Sequence, residues 1–220
     1  MIDLSIYKAV IFDMDGVLID SEPLWKVAME EVFISIGCPL TRKDFQKTVG
    51  LRLDEVIEYW FEHTGWENAS PKEVEDRIVY RMIDLLKEYG VPLIGVVATL
   101  QYLKAKGIKI GLATSSYEVL IDTVLDTLSI REYFDFTHSA EREAFGKPHP
   151  AVYLTVAEKF KIHPKNCLVI EDSLNGIISG KAARMKVVCI PEKSHSLEPK
   201  LMLADYQFED MTLFLSHIQI

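Results

Sequence analysis

The sequence predicts an α/β protein, a doubly wound parallel sheet carrying a helical insertion after its first strand. Three observations carry that prediction. From Gly95 onward, apolar runs of strand length alternate with amphipathic segments of helix length, the pattern left by a parallel sheet wrapped by helices. A run of the same kind, "KAVIFD", stands near the start. Between the two, no strand-like run occurs and the apolar residues repeat at helical spacing.

In chain order, "KAVIFD" is the first strand, and the insertion follows it. Trp25, Ala28, Met29, Val32, Phe33 and Ile36 share one helical face, and Val56, Ile57, Trp60 and Phe61 share another. Ser70, Pro71 and Glu73 form a capping box with proline at the first helical position. The helix they open continues through Val74, Ile78, Met82, Leu85 and Leu86. The segment after Gly16 and the stretch "YGVPLIG" tether this bundle, so residues 17–91 are expected to form one unit and residues 1–16 with 92–220 the other. The later strands and helices are "IKIGLA", 117–128, "FDFTH", 150–160, "CLVI", 174–183 and "KVVCI".

Composition narrows the function. Of 220 residues 49% are hydrophobic, enough for a sizeable core. Lys and Arg number 24 against 33 Asp and Glu, a formal charge of −9, so no basic surplus exists to bind nucleic acid or an anionic membrane. Cys38, Cys167 and Cys189 lack CxxC spacing and read as reduced structural thiols. No basic-then-apolar leader opens the chain, and no run nears about 18 uninterrupted apolar residues. A soluble, cytoplasmic protein is expected, acting as a monomer.

Polar residues collect where predicted strands end, which is where ligands bind in open α/β sheets. Asp13 and Asp15 end an apolar run, and two residues apart on a strand they would face one side. Either one alone could cap a helix or start a turn; both after Val10, Ile11 and Phe12 point to chemistry. A carboxylate can attack phosphorus while a second carboxyl protonates the leaving alkoxide and later deprotonates water, and two such charges push one pKa up. Thr114, Ser115 and Ser116 follow "IKIGLA"; Ser115 with Glu118 reads as a capping box, which is compatible with holding a phosphoryl group at a helix start. Lys147 in "GKPHP" is either solvated surface or, with Pro148 and Pro150 restricting the backbone, a presented point charge for phosphate. Glu171 and Asp172 end "CLVI"; Asp172 or Ser173 could simply cap the next helix. With Asp13 and Asp15 these acids make an all-oxygen set suited to Mg²⁺, and the metal together with Lys147 compensates the buried charge. His149 and the other histidines show no metal-ligand spacing and read as surface or loop.

"DMDGVLIDSEPLW", "GLATSS", "GKPHP" and "IEDSLNG", in this order and with a helical insertion after the first strand, resemble the haloacid dehalogenase superfamily. Within it they are most similar to the phosphoglucomutase-like branch, which includes phosphatases of hexitol phosphates and 2-deoxyglucose 6-phosphate. The resemblance covers essentially the whole chain. It implies a Rossmann-like core with an α-helical cap domain that closes over a small phosphate monoester. It also implies Asp13 as nucleophile and metal ligand, and Asp15 as general acid and base with its backbone carbonyl on the metal. Thr114, with the backbone around Ser115 and Ser116, would hold the transferring phosphoryl group, Lys147 would pair with nucleophile and phosphoryl oxygens, and Asp172 with Glu171 would complete the Mg²⁺ site. A cap loop, here "VGLR", faces the site in this family, making Arg52 the candidate reader of the substrate's distal part or else a helix-start surface arginine. Glu22 and Trp25 lie near the cap entrance, and Trp25 stands where the mutase branch commonly has histidine, which weakens a β-phosphoglucomutase reading without excluding it. A dehalogenase would leave Asp15 and the Glu171–Asp172 pair idle. A non-enzymatic phosphoacceptor domain would lack the insertion.

Overall fold

The computed structural model describes residues 1–48, 51–191 and 199–219. The chain opens with β1 (Ile2–Asp3) and β2 (Ala9–Phe12) and then runs through α1 (Glu22–Ser35), α2 (Leu53–Thr64) and α3 (Pro71–Tyr89). Next come α4 (Val96–Ala105), β3 (Lys109–Thr114), α5 (Glu118–Thr127), β4 (Phe136–Ser139), α6 (Ala151–Phe160), β5 (Cys167–Glu171), α7 (Leu174–Ala182) and β6 (Lys186–Cys189). β7 (Tyr206–Gln207), α8 (Met211–Ser216) and β8 (Ile218–Gln219) close it.

Among the described residues a six-stranded sheet has the order β4-β3-β2-β5-β6-β7, parallel throughout. β2 lies at its centre, with Phe12 level with Leu112 of β3 and Ile170 of β5. The order reverses beside β2, and the carboxyl ends of β2, β3 and β5 therefore open on one crevice. Side chains alternate across the pleat: Val10, Phe12, Leu112 and Ile170 join one core with α4, α5 and α8, while Ala9, Ile11, Ala113 and Val169 join another with α6 and α7. Both faces are covered, which is why these strands read as continuous apolar runs. β1 and β8 pair in parallel, with Ile2 level with Ile218 and Asp3 level with Gln219.

The three-helix insertion follows its periodicity. Ser70 Oγ accepts from the Glu73 N–H while Glu73 accepts from the Ser70 N–H at 2.7 Å, with Pro71 first in the helix. Val74, Ile78, Met82, Leu85 and Leu86 are all buried as the spacing requires. Phe61 departs from expectation: it is 40% exposed, one helical step of about 100° past the buried Trp60. No helix among the described residues is long and apolar enough to cross a membrane.

Two features differ from what the sequence predicts. The capping box between Ser115 and Glu118 does not form, because α5 starts at Glu118 and takes its cap from elsewhere: the Glu118 N–H donates to Glu141 at 3.0 Å and its carboxylate pairs with Arg142. His138 is neither surface nor loop. It lies in β4, buried, with Nε2 2.7 Å from Glu143 Oε1.

Candidate active site

One residue past the end of β2, the Asp13 N–H still donates to the Ile170 carbonyl at 2.9 Å, which fixes Asp13 at the carboxyl edge of the sheet. Its buried carboxylate meets Lys147, which arrives from the loop between β4 and α6. Lys147 Nζ donates to Asp13 Oδ1 at 2.7 Å, to Glu171 Oε1 at 2.7 Å and to the Ala113 carbonyl at 3.1 Å. The lysine is 5% exposed, so the surface alternative for it is set aside.

Glu171, the last residue of β5, is held at both oxygens. Oε1 accepts from Lys147 and from the Tyr153 hydroxyl at 2.6 Å; Oε2 accepts from the Asp172 N–H, the Ser173 N–H and Ser173 Oγ at 3.1, 3.3 and 3.2 Å. Ser173 Oγ also accepts from the Gly176 N–H, so serine rather than Asp172 caps α7. Two glycines leave room for these acids. A Cβ on Gly176 would stand 1.8 Å from Glu171 Oε1, and one on Gly16, where φ is +70°, would stand 2.2 Å from Asp172 Oδ2.

Asp15 sits apart. β2 ends at Phe12, so the pleat does not aim Asp13 and Asp15 alike. The Asp15 carboxylate accepts instead from Ser21 Oγ at 2.5 Å, Trp25 Nε1 at 3.2 Å and Ser116 Oγ at 2.7 Å. Thr114 ends β3, buried, and its Oγ1 accepts from the Ser116 N–H at 3.1 Å. Ser115 lines a small cleft with Arg52, Asp54, Tyr117, Glu141 and Glu143.

Arg52 reaches that cleft from the helical side, at the N-cap of α2. Its guanidinium donates to Asp54 from Nε at 3.0 Å and from Nη2 at 2.5 Å, and to the Ala140 and Glu143 carbonyls at 3.3 and 3.4 Å. It therefore spans the insertion and the sheet loops rather than waving in solvent. Val49 and Gly50 of "VGLR" lie outside the described residues.

Burial pushes the Asp13 carboxyl above its ordinary range against the pull of Lys147, with the charges of Glu171 and Asp15 adding to the rise. Burial also acts to raise Glu171, but Lys147 and the hydrogen bonds hold it below its ordinary value. Lys147 is raised: burial opposes its charge, and Asp13 and Glu171 outweigh burial. The rise on Asp13 comes first from burial, and the Asp15 charge that the sequence pointed to is a lesser contributor than burial and Glu171. Among the described residues, carboxylate oxygens of Asp13, Glu171 and Asp172 lie within 4.8 Å of one another. An all-oxygen, anionic set that outnumbers its buried lysine fits a hard divalent cation. The Asp15 carboxylate is not in that set.

Tyr153 escaped the sequence reading because it sits on the buried face of α6 beside Val152, Val156 and Ala157, where an aromatic ring looks like ordinary core. Glu75 escaped as well; it is buried on α3 and accepts from the Tyr117 hydroxyl at 2.8 Å.

The family model for haloacid dehalogenase-like hydrolase matches residues 7–184. Hexitol phosphatase B of Escherichia coli (strain K12) is 40% identical over 205 residues, covering 93% of this chain and 92% of that protein. Beta-phosphoglucomutase of Bacillus subtilis (strain 168) is 33% identical over 218 residues, covering 96% and 94%. The crystal structure of CbbY from Rhodobacter sphaeroides in complex with phosphate superposes with a TM-score of 0.86 at 22% identity, covering 93% and 95%, a likeness of fold.

Proposed function

Because the chain belongs to the haloacid dehalogenase-like hydrolase family, we propose that it is a Mg²⁺-dependent phosphatase. Its substrates in this reading are sugar or sugar-alcohol phosphates, hexose or hexitol, hydrolysed through an aspartyl-phosphate. The observation that carries the reading is Lys147 Nζ at 2.7 Å from both Asp13 and Glu171, buried at the edge of the sheet beside Asp172. The name of the Escherichia coli relative supports the substrate class.

In this reading Asp13 attacks phosphorus, the bond from phosphorus to the sugar oxygen breaks, and Asp15 gives that oxygen its proton. Asp15 then takes a proton from water as the water attacks the phosphoryl group, which frees inorganic phosphate and restores Asp13. Asp13, Glu171, Asp172 and the Asp15 backbone carbonyl would hold the cation. When bound, Mg²⁺ supplies the charge neutralisation that lets an anionic phosphoryl group approach buried carboxylates. Lys147 keeps the nucleophile oriented, and Thr114, Ser115 and Ser116 receive phosphoryl oxygens. Residues 17–91 act as a cap that excludes bulk water, with Arg52 meeting the distal part of the substrate.

The Bacillus subtilis relative motivates a second reading, a mutase that returns the phosphoryl group to sugar. Charge argues for water as the acceptor. A mutase must hold a bisphosphate, and the cleft sets Asp54, Glu141 and Glu143 against Arg52. A panel of phosphate monoesters assayed with Mg²⁺ and with chelator separates the two. Phosphate release from hexose or hexitol phosphates without added bisphosphate, lost on chelation, is expected. Conversion of β-glucose 1-phosphate to glucose 6-phosphate with negligible phosphate release would establish the mutase instead.

A further inference from the structure

We propose that Tyr153 is a positioning residue that orients Glu171 and Lys147 for cation binding. The inference rests on the reading above and extends it to a side chain with no role in that scheme. Tyr153 has no solvent exposure, and its hydroxyl would be an orphan in an apolar helix face if it lacked an acceptor. It finds one in Glu171 Oε1, at 2.6 Å. The same oxygen takes Lys147 Nζ at 2.7 Å, and that ammonium sits 5.0 Å from the centre of the Tyr153 ring. One side chain therefore touches both partners in two ways, through a hydroxyl donor to the carboxylate and a ring face to the cation.

The opposite oxygen of Glu171 is fixed by the start of α7, through Ser173 and the Asp172 N–H. With Tyr153 in place the carboxylate plane is pinned at both ends. Without the hydroxyl, Oε1 retains Lys147, and the carboxylate gains freedom to turn with the lysine. Partners behind a metal-binding carboxylate commonly shift metal affinity or activity by about 10- to 100-fold when removed.

Tyr153→Phe keeps the ring and removes the donor. Mg²⁺ affinity, read by isothermal titration calorimetry, is expected to fall at least about tenfold, and turnover is expected to recover as Mg²⁺ is raised. An unchanged Mg²⁺ dissociation constant in Tyr153→Phe, with tight binding to the unaltered protein, overturns the inference alone. Absence of Mg²⁺ binding to the unaltered protein overturns the phosphatase reading beneath it. Val152→Ala removes packing from the same buried helix face and serves as the control for destabilisation. It is expected to lower the melting temperature and leave Mg²⁺ affinity unchanged. An equal loss of affinity in Val152→Ala would reduce Tyr153 to a packing residue.

Discussion

At the carboxyl edge of the sheet, Lys147 meets Asp13 and Glu171 at 2.7 Å with almost no solvent exposure. On the helical side, Arg52 meets Asp54 and two loop carbonyls from a half-buried position. The first wall cannot lose a partner without leaving a charge stranded in a low dielectric; the second can exchange its partners for water. Their difference matches the division of labour in the proposed function. In that proposal, chemistry that must not vary would sit where burial makes geometry costly to change, and recognition where a side chain can be redirected.

Substitutions can break or sharpen that contrast. The largest stability effect is expected from Lys147→Met, which strands Asp13 and Glu171; a loss of about 3–5 kcal/mol by denaturant unfolding, together with turnover, is the expected result. A loss no greater than that of an exposed lysine would mean the acids relax to water. Gly176→Ala comes next. In an ordinary helix this exchange stabilises by about 1 kcal/mol, but here the new Cβ would stand 1.8 Å from Glu171. A loss of about 1–3 kcal/mol and of activity is expected instead, and a gain in melting temperature would contradict the close approach.

Arg52→Ala should leave the fold largely intact and lower kcat/KM for a hexitol phosphate roughly tenfold. An aryl phosphate, whose good leaving group needs little help from the distal wall, should suffer less. Equal losses on both substrates would make Arg52 a structural strut between insertion and sheet loops. The smallest effect lies outside both walls, at Asp205. Burial raises its carboxyl, but Lys181, Lys186 and the Val187 N–H outweigh burial and hold it below its ordinary value. Its contribution is present above the unfolded carboxylate pKa of about 4 and is lost as pH falls through the lower folded value. Asp205→Asn should therefore cost stability near neutral pH and flatten the acid limb of a melting-temperature profile; an unchanged limb would show that the ion pairs are solvated.

The same contrast explains what the sequence made legible. The sheet wall could be read because acids at the ends of apolar runs are expensive to bury, and because "DMDG" and "IEDSLNG" carry the family resemblance. The insertion could be read because Ser70, Pro71 and Glu73 cap a helix locally. The contacts of the helical wall could not. The resemblance singles out Arg52, but its contact with the Ala140 carbonyl, like that of Tyr117 with Glu75, joins residues distant in sequence, and nothing local marks the partner. Strands β1, β7 and β8 were unreadable for another reason: two residues each are too few for a period to show. Tyr153 was hidden by its ring, whose apolar bulk satisfies the helix pattern while its hydroxyl serves the site.

Covalent capture tests the central claim most directly. The protein is mixed with a hexitol phosphate and Mg²⁺, quenched in acid within the first turnover, digested, and its peptides weighed by mass spectrometry. A phosphoryl group on the side chain of Asp13, absent from Asp13→Asn, is the predicted result. Undiminished hydrolysis by Asp13→Asn, with no phosphoryl group on Asp13 in the unaltered protein, would contradict it.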